Sequence, residues 1–358
     1  MEDFIMAFKT ASGYGNLPNG NFSPVIYSKQ VQLALRKSTV VGQITNSDYF
    51  GEIASMGDTV RIIKEPEITV KEYARGTQIT PQDLDDEDFS LVIDKANYYA
   101  FKVDDIEEAH SHVNFGSLAS DRAAYRLSDQ YDQEVLGYMA GWKQSSISSV
   151  AGTANDTVSG TKAVSTAESN ELLDSMLVDA NDFNSGTAGN SIVVKPRAGG
   201  DSLNTTTANA TPLAVIARMS RKLDQQFVPS SERWLVVDPV FAELMKDEDS
   251  RLFNADFGGS GLQNGLILNN VHGFKVYMSN NLPAKGNGAT GATATGSTHF
   301  GVICAGHSSA VATAEQINKT ETYRDPDSFA DIVRGMHLYG RKILKPEALS
   351  RAYYVSGI

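Results

Sequence analysis

This sequence has few of the residues and segments on which enzymes, membrane proteins and secreted proteins rely. Cys304 is the only cysteine in 358 residues, so neither an intrachain disulfide nor a thiolate metal site can form. No apolar run reaches the roughly 20 residues that a membrane helix needs. Residues 1–10 also lack the cationic flank and apolar segment of a secretory signal. We therefore expect a protein that is made in the cytosol and has no membrane partner.

Basic residues are scarce for a protein that would bind nucleic acid. The chain has 31 basic and 43 acidic residues, a net charge of −12, and its basic residues form only pairs such as Arg36-Lys37 and Arg341-Lys342. A protein that grips DNA independently of sequence presents a basic face that displaces counterions from phosphate. If this chain meets DNA, we expect it to enclose the DNA without binding it tightly.

The best candidate for a catalytic site is an acidic stretch that contains two histidines. On a helix, Asp104, Glu108 and His112 would project from one face and could hold the divalent metal of a hydrolase. The absence of a fourth-ligand pattern favours a solvated acidic turn instead. Segments 306–309 and 258–261 lack the context of a serine nucleophile or a phosphate loop. We therefore predict no enzyme, no metal and no cofactor.

Residues 57–103 predict a long two-stranded β-ribbon. Residues 57–71 form one strand bent near Pro66, and apolar side chains alternate along residues 89–103 on the return strand. At about 3.3 Å per residue, each strand could reach about 45–50 Å. Because a two-stranded ribbon is marginally stable alone in water, we expect it to lie on a neighbouring copy of the chain.

The polar tip of this ribbon, residues 73–88, supplies most of the candidate contact residues. It ends in four consecutive acidic residues, which could pair with a basic pair on another copy. A solvated acidic tip remains the alternative, because an exposed ion pair contributes only about 0–1 kcal/mol. The candidate inter-subunit residues are Tyr73, Arg75, Asp85, Asp86, Glu87 and Asp88 on the ribbon, with Arg36 and Lys37 on the other copy.

A long amphipathic helix is predicted after the ribbon. From residue 120 to residue 142 it would measure roughly 34 Å. Its apolar residues step by three or four positions and share one stripe, which we assign to the core; they are Ala124, Leu127, Tyr131, Val135, Tyr138 and Trp142. The charged residues fall mostly off this stripe, among them Asp121, Arg126, Asp129 and Asp132.

The remaining residues mix helices and strands, which is typical of the α+β class. Residues 144–210 indicate a surface insertion rich in small polar residues, with one helical island at 171–179. Thr211-Pro212 and Asp238-Pro239 each begin a helix; the first has Leu213, Ile216, Leu223 and Phe227 inward, and the second ends at Lys246. Strands are predicted at 234–237, 266–268, 274–278, 300–305 and 310–314, followed by a strand-like series over 315–354.

Several segments, taken in order, carry a resemblance to a known family. Residues 57–60 look like the start of an extended loop, and residues 233–247 look like a central strand and helix. The phrase Gly273-Phe274-Lys275-Val276, continued by Ser279-Asn280-Asn281-Leu282-Pro283, is close to a recurring capsid phrase. Residues 338–348 are similar to the last strand of podovirus capsids. The chain thus resembles the Hong Kong 97-like major capsid proteins of tailed bacteriophages.

The resemblance implies a division of the chain into four parts. Residues 1–56, in which Ser23-Pro24 begins one helix, would be an N-terminal arm, and residues 57–103 would be an extended β-ribbon loop. Residues 104–174 and 315–332 would form a peripheral lobe around a spine helix at 117–143. Residues 175–314 and 333–358 would form an axial α/β lobe whose tips meet around five-fold and six-fold axes.

The function implied is that of a structural protein that self-assembles into the icosahedral head enclosing the phage genome. The expected partners are other copies in pentamers and hexamers, a separate scaffolding protein, a portal protein and enclosed double-stranded DNA. We expect assembly in the host cytoplasm and a final location in the virion. Two alternatives remain open: an encapsulin-like nanocompartment shell, and a metal-dependent hydrolase that uses Asp104, Glu108 and His112.

Overall fold

The fold is taken from a computed structural model of the chain. The structure describes residues 39–48, 59–63, 68–76, 78–79, 81–82, 88–104, 115–143, 172–183, 191–195, 209–246, 270–285 and 299–356. Within them lie α1 (Val41–Ile44), α2 (Phe115–Ala140), α3 (Pro212–Gln225) and α4 (Pro239–Lys246). The strands are β1 (Thr59–Ile63), β2 (Asp88–Val92), β3 (Lys95–Asp104), β4 (Leu177–Val178), β5 (Ile192–Val194), β6 (Asn209–Ala210), β7 (Arg233–Val237), β8 (Asn270–Val271), β9 (Phe274–Met278), β10 (Ala284–Lys285), β11 (Phe300–His307), β12 (Val311–Arg324), β13 (Ala330–Ile343) and β14 (Leu349–Ser356).

A mixed sheet forms the centre of the fold. Its order is β6-β5-β14-β11-β7-β9-β8, with β10 beside β11 and β4 beside β14. Strands β7 and β14 are buried throughout, and successive residues face opposite sides. Leu235 and Ile303 pack with α3 and α4 on one side, whereas Val236 and Cys304 pack with α1 and the end of α2 on the other. Burial on both faces explains the continuous apolar run of residues 234–237 in β7.

The two helix starts predicted from X-Pro pairs are confirmed. Thr211 Oγ1 accepts a hydrogen bond from the backbone N–H of Ala214 at 3.3 Å, so the side chain caps α3. Asp238 Oδ1 accepts from the N–H of Phe241 at 3.2 Å and caps α4 in the same way. The strands predicted near 234–237, 274–278 and 300–305 are present as β7, β9 and β11.

A second sheet, in the order β12-β13-β3, lies along α2. Strands β12 and β13 form a hairpin of 14 residues each, which at about 3.3 Å per residue is about 46 Å long. The ring of Tyr131 on α2 meets the ring of Tyr339 on β13 edge to face, with centroids 4.8 Å apart. The predicted long helix is therefore confirmed, with its core face on this sheet and on the centre of the fold.

The predicted return strand at residues 89–103 is wrong in its pairing. It is two strands: β2 pairs with β1, whereas β3 pairs with β13 along ten residues. The base of the short β1-β2 pair packs on the second sheet, where a Cβ at Gly340 would lie 2.5 Å from the carbonyl oxygen of Val92. Alternation along the sequence fixes which side chains share a face but does not choose the partner strand.

Other predictions are also corrected by the structure. The helical island at 171–179 is a short 3-10 turn, Asp174–Met176, followed by β4. Ala124 is exposed, while Asp129 and Asp132 are buried because the second half of α2 is enclosed on nearly all sides. Phe227, predicted to point inward, exposes 94% of its surface.

Two further predictions concern segments and boundaries. The predicted strand at 266–268 and the helix start at Ser23-Pro24 lie outside the described residues. The division into arm, loop and two lobes stays a prediction, and its boundary between residues 332 and 333 falls inside the continuous strand β13.

Candidate assembly surfaces and the buried junction

The ribbon presents apolar side chains that its own chain leaves uncovered. Ile68, Val70, Tyr73 and Ile79 expose between 63% and 93% of their surfaces. The described residues between 68 and 82 form no strand, and the backbone N–H of Thr69 bonds to the side chain of Gln82 at 3.1 Å. An apolar segment exposed to this extent is a candidate contact surface.

The candidate inter-subunit residues are only partly described. Tyr73 and Arg75 are exposed in the ribbon, and Asp88 begins β2 opposite Ile63. Five of the candidate residues, in the acidic tip and in the basic pair that it could meet, lie outside the described part: Asp85, Asp86, Glu87, Arg36 and Lys37. The pairing of tip and basic pair therefore stays a prediction.

The second sheet has one face that α2 does not cover. Tyr98 on β3 is 81% exposed, and its cross-strand partner Met336 on β13 is 40% exposed. Tyr323 on β12 lies on the same face. Arg334 bonds to Glu321 at 2.9 Å across this face, so ion pairs border the apolar residues. A half-covered sheet with aromatic residues on its open face is a second candidate contact surface.

A buried carboxylate joins three distant segments on the inner side of α2. Asp132 Oδ1 accepts the backbone N–H groups of Val40 and Val41, at 2.8 and 3.0 Å, and so caps α1. Asp132 Oδ2 accepts from Asn281 Nδ2 at 2.9 Å, and the same amide donates to Asp129 Oδ1 at 3.0 Å. We call Asp129, Asp132, Asn281 and the two valine amides the buried junction.

The loop that holds Asn281 is fixed by its own backbone. Ser279 N–H bonds to the carbonyl of Val237 at 3.0 Å, and Asn281 N–H bonds to Ser279 Oγ at 3.1 Å. Burial, the largest effect, raises the pKa of Asp132, while the bonds from Asn281, Val41 and Val40 oppose that rise. The junction was missed in the sequence because Asp129 and Asp132 fall off the apolar stripe. The Ser-Asn-Asn-Leu-Pro phrase was the only signal at Asn281.

A second buried polar group holds the C-terminal strand to α4. Asp238 accepts from Tyr354 through Oδ1 and pairs with His299 Nε2 through Oδ2 at 2.6 Å. All three side chains are buried, and burial together with the nearby Asp238 carboxylate raises the pKa of Tyr354. The Tyr354 hydroxyl, both Asp238 oxygens and His299 Nε2 each have a partner, which is the condition for burying such groups without a large loss of stability. This arrangement is structural support for the central sheet.

The predicted metal site does not form on one helix. Asp104 is the last residue of β3 and pairs with Ala330 at the far end of the second sheet, whereas Glu108 and His112 lie outside the described residues. Among the residues that the structure describes, no group of three histidine, cysteine or acidic side chains could hold a metal ion. In the same residues, no helix is long and apolar enough to cross a membrane.

Cys304 lies in the centre of β11 and is fully buried, as the sequence predicted. Burial raises the pKa of its thiol to about 12, so the thiolate is not populated near neutral pH. Segment 306–309 is the end of β11 and a 3-10 turn, where His307 Nδ1 accepts from the backbone N–H of Ser309 at 3.2 Å. His307 Nδ1 also lies 2.9 Å from Ser309 Oγ, so the imidazole and the hydroxyl bond within one turn.

Solved structures share this fold. A chain from Mycobacterium phage Che8 is 24% identical with a TM-score of 0.66, and the match covers 93% of this chain and 97% of that one. A chain from the capsid structure of Cyanophage P-SCSP1u is 17% identical with a TM-score of 0.63, covering 96% and 98%. A chain from the capsid of Ralstonia phage GP4 is 9% identical with a TM-score of 0.59, covering 98% and 99%. The fold is thus that of phage capsid subunits.

The family is shown by the sequence itself. The profile described as phage capsid protein matches residues 160–352, which is more than half of the chain. The chain belongs to this phage capsid protein family. No curated protein matches it significantly.

Family and fold together confirm the main sequence prediction, a structural major capsid protein of tailed-phage type with a mixed helix and sheet fold. Its place is the virion capsid, in a shell built from many subunits. The nanocompartment shell and the hydrolase receive no support from these matches.

Proposed function

We propose that residues 57–103 make the contact that joins neighbouring subunits of the shell. The observation that carries the proposal is the exposure of Ile68, Val70, Tyr73 and Ile79 on a segment that cannot form a core of its own. The open face of the second sheet offers aromatic and aliphatic side chains of the same kind. Contact between the two surfaces on different copies would be heterologous and could close into rings.

A substitution experiment tests the ribbon without shortening it. We expect a variant with Ile68→Ser, Val70→Ser and Ile79→Ser to remain a folded monomer and to form few closed shells. The matched control replaces three exposed polar residues of the same segment, Lys71, Glu72 and Gln78, with serine. Normal shells from the apolar triple variant, counted by negative-stain electron microscopy, would refute the proposal.

The acidic tip has a separate role in this proposal. We infer that Asp85 and Asp86 face Arg36 and Lys37 of another copy. The opposite charges of the two pairs and the need for contacts between copies support this inference. Charge reversal at Arg36 and Lys37 should weaken assembly, and the further change of Asp85 and Asp86 to lysine should restore it. Equal assembly by all variants would mean that the tip is only solvated.

The larger partners follow from the same role. We infer that the subunits form pentamers and hexamers in the host cytoplasm with a separate scaffolding protein and a portal protein. The shell encloses double-stranded DNA. The excess of 43 acidic over 31 basic residues supports enclosure without tight binding. Tight binding of duplex DNA by the free subunit, with a steep dependence on salt, would contradict this inference.

We infer that the protein catalyses no reaction. Two observations support this: the family is structural, and the thiol of Cys304 is buried and protonated. The acidic residue Asp104 is the last residue of a strand and is not part of a helix that could present further ligands beside it. Hydrolysis of phosphoesters or peptides by the metal-loaded subunit, lost on Asp104→Asn, would overturn the inference.

A further inference from the structure

Among the described residues, Phe227 is the large apolar side chain with the greatest exposure, and it lies just beyond the end of α3. It exposes 94% of its surface, and its backbone φ is 58°. The N–H of Phe227 bonds to the carbonyl of Asp224 and the N–H of Val228 bonds to that of Leu223, both at 3.1 Å. This pattern is a Schellman motif, in which the position of Phe227 is usually occupied by glycine.

A phenylalanine at this position is unfavourable for the isolated subunit on two grounds. The left-handed backbone is strained for a residue with a Cβ, and the aromatic ring is left in water. Glycine would satisfy the same motif with neither disadvantage. Within the described part of the chain, Phe227 therefore has no packing role that would explain its presence.

Hydrogen bonds from Arg233 fix the loop that carries Phe227. The buried Arg233 donates through Nε to the carbonyl of Pro229 at 2.7 Å and through Nη2 to that of Val228 at 2.5 Å. The same guanidinium pairs with Asp224 at 2.7 Å. Because the backbone on both sides of Phe227 is fixed, little backbone entropy is lost when the ring binds a partner.

We propose that Phe227 is an anchor residue that inserts into a second copy of this chain within the shell. Its ring can bury about 150–250 Å², well below the roughly 800 Å² per partner of a stable binary complex. Such a contact suits one of many repeated contacts in a shell. Residues 225–231 carry no charge and the flanking Asp224 is paired with Arg233, which limits repulsion at this point between two copies of a chain with net charge −12.

The proposal predicts effects of opposite sign on folding and on assembly. Phe227→Gly should raise the Tm of the subunit by about 1–3 °C, because glycine prefers the left-handed backbone. The same variant should raise the subunit concentration needed for shells about tenfold, since the ring is lost. Phe227→Tyr keeps the ring and the backbone strain, so it should assemble close to the parent.

A control variant at His272 separates the effect of relieving backbone strain from the effect of losing the contact between copies. His272 also has a left-handed backbone, with φ of 49°, and is followed by Gly273 in the turn between β8 and β9. His272→Asn should relieve this turn without removing an apolar anchor, because asparagine tolerates that conformation. We expect its assembly to equal that of the parent.

All variants are compared by thermal unfolding of the full-length subunit and by light scattering of assembly, with and without scaffolding protein. Assembly of Phe227→Gly at the parent concentration would overturn the proposal. A lower Tm, or failure of Phe227→Gly to fold, would also overturn it by showing that the ring supports its own subunit. A loss seen only with scaffolding protein would identify that protein as the partner and refute contact between copies. These outcomes do not depend on the ribbon, which is intact in every variant.

Discussion

Replacing Asp132 with alanine should strip the buried junction of its central acceptor. The N–H groups of Val40 and Val41 lose this acceptor, and the side-chain amide of Asn281 keeps its bond to Asp129 but loses the one to Asp132. Hydrogen bonds to a charged acceptor contribute about 1.5–3 kcal/mol each. Relief of the desolvated carboxylate offsets part of this loss, because burial of a charge itself costs several kcal/mol. We expect a net loss of about 2–4 kcal/mol.

We expect Asp132→Ala to destabilise the region around α1 more than the rest of the fold. Asp132 caps α1 from a helix about 90 positions away in sequence, so its loss should free the segment that contains Val40 and Val41. Hydrogen exchange at these two amides should accelerate more than exchange in the central sheet, and the Tm should fall by several degrees. Asp121→Ala, on the exposed side of the same helix, is the control and should change stability by less than about 0.5 kcal/mol.

Asp132→Asn tests whether the hydrogen-bond geometry or the negative charge of Asp132 stabilises the buried junction. The asparagine carbonyl can still accept from both valine amides, but its NH₂ group would face the NH₂ group of Asn281. We expect an intermediate loss of stability and nearly normal protection of the valine amides. If Asp132→Ala were as stable as the parent, or if protection at Val40 and Val41 were unchanged, the assignment of Asp132 as the cap of α1 would be refuted.

Three further predictions concern the same framework. Tyr131→Ala should lower the free energy of unfolding by about 3 kcal/mol and reduce the soluble yield, because the ring packs edge to face on Tyr339. Unfolding in urea measures this loss. A variant as stable as the parent would show that the core face of the helix is assigned wrongly. Gly340→Ala should cost about 1–3 kcal/mol and displace the base of the ribbon, because the new Cβ would strike the carbonyl of Val92; a normal Tm would contradict that close approach. The raised pKa of Asp132 means that the folded state holds its proton at higher pH than the unfolded chain, so this carboxyl should lower stability as pH rises from about 3.8 through its folded pKa. Subtracting the stability curve of Asp132→Asn from that of the parent should show this slope, and a difference that rises with pH would refute it.

The start of α4 shows which contacts of a residue the sequence can predict and which it cannot. Asp238-Pro239 predicted the start of α4 because a cap acts on amides two or three residues away. That the same carboxylate also binds His299 and Tyr354 could not be predicted, since those residues lie 61 and 116 positions further along the chain. The sequence supplied the cap, and the fold supplied its other two partners.

The order of arm, ribbon, long helix and mixed lobe, together with the Ser279–Pro283 phrase, was enough to identify a capsid subunit. Periodicity likewise determined α2 and the buried strands, because side-chain direction repeats within a few residues. Only the tertiary structure decided that β3 joins β13, that Asp132 is buried and that Phe227 is exposed. Each of these depends on which distant segment covers a face, and covering a face is a property of packing that local spacing does not encode.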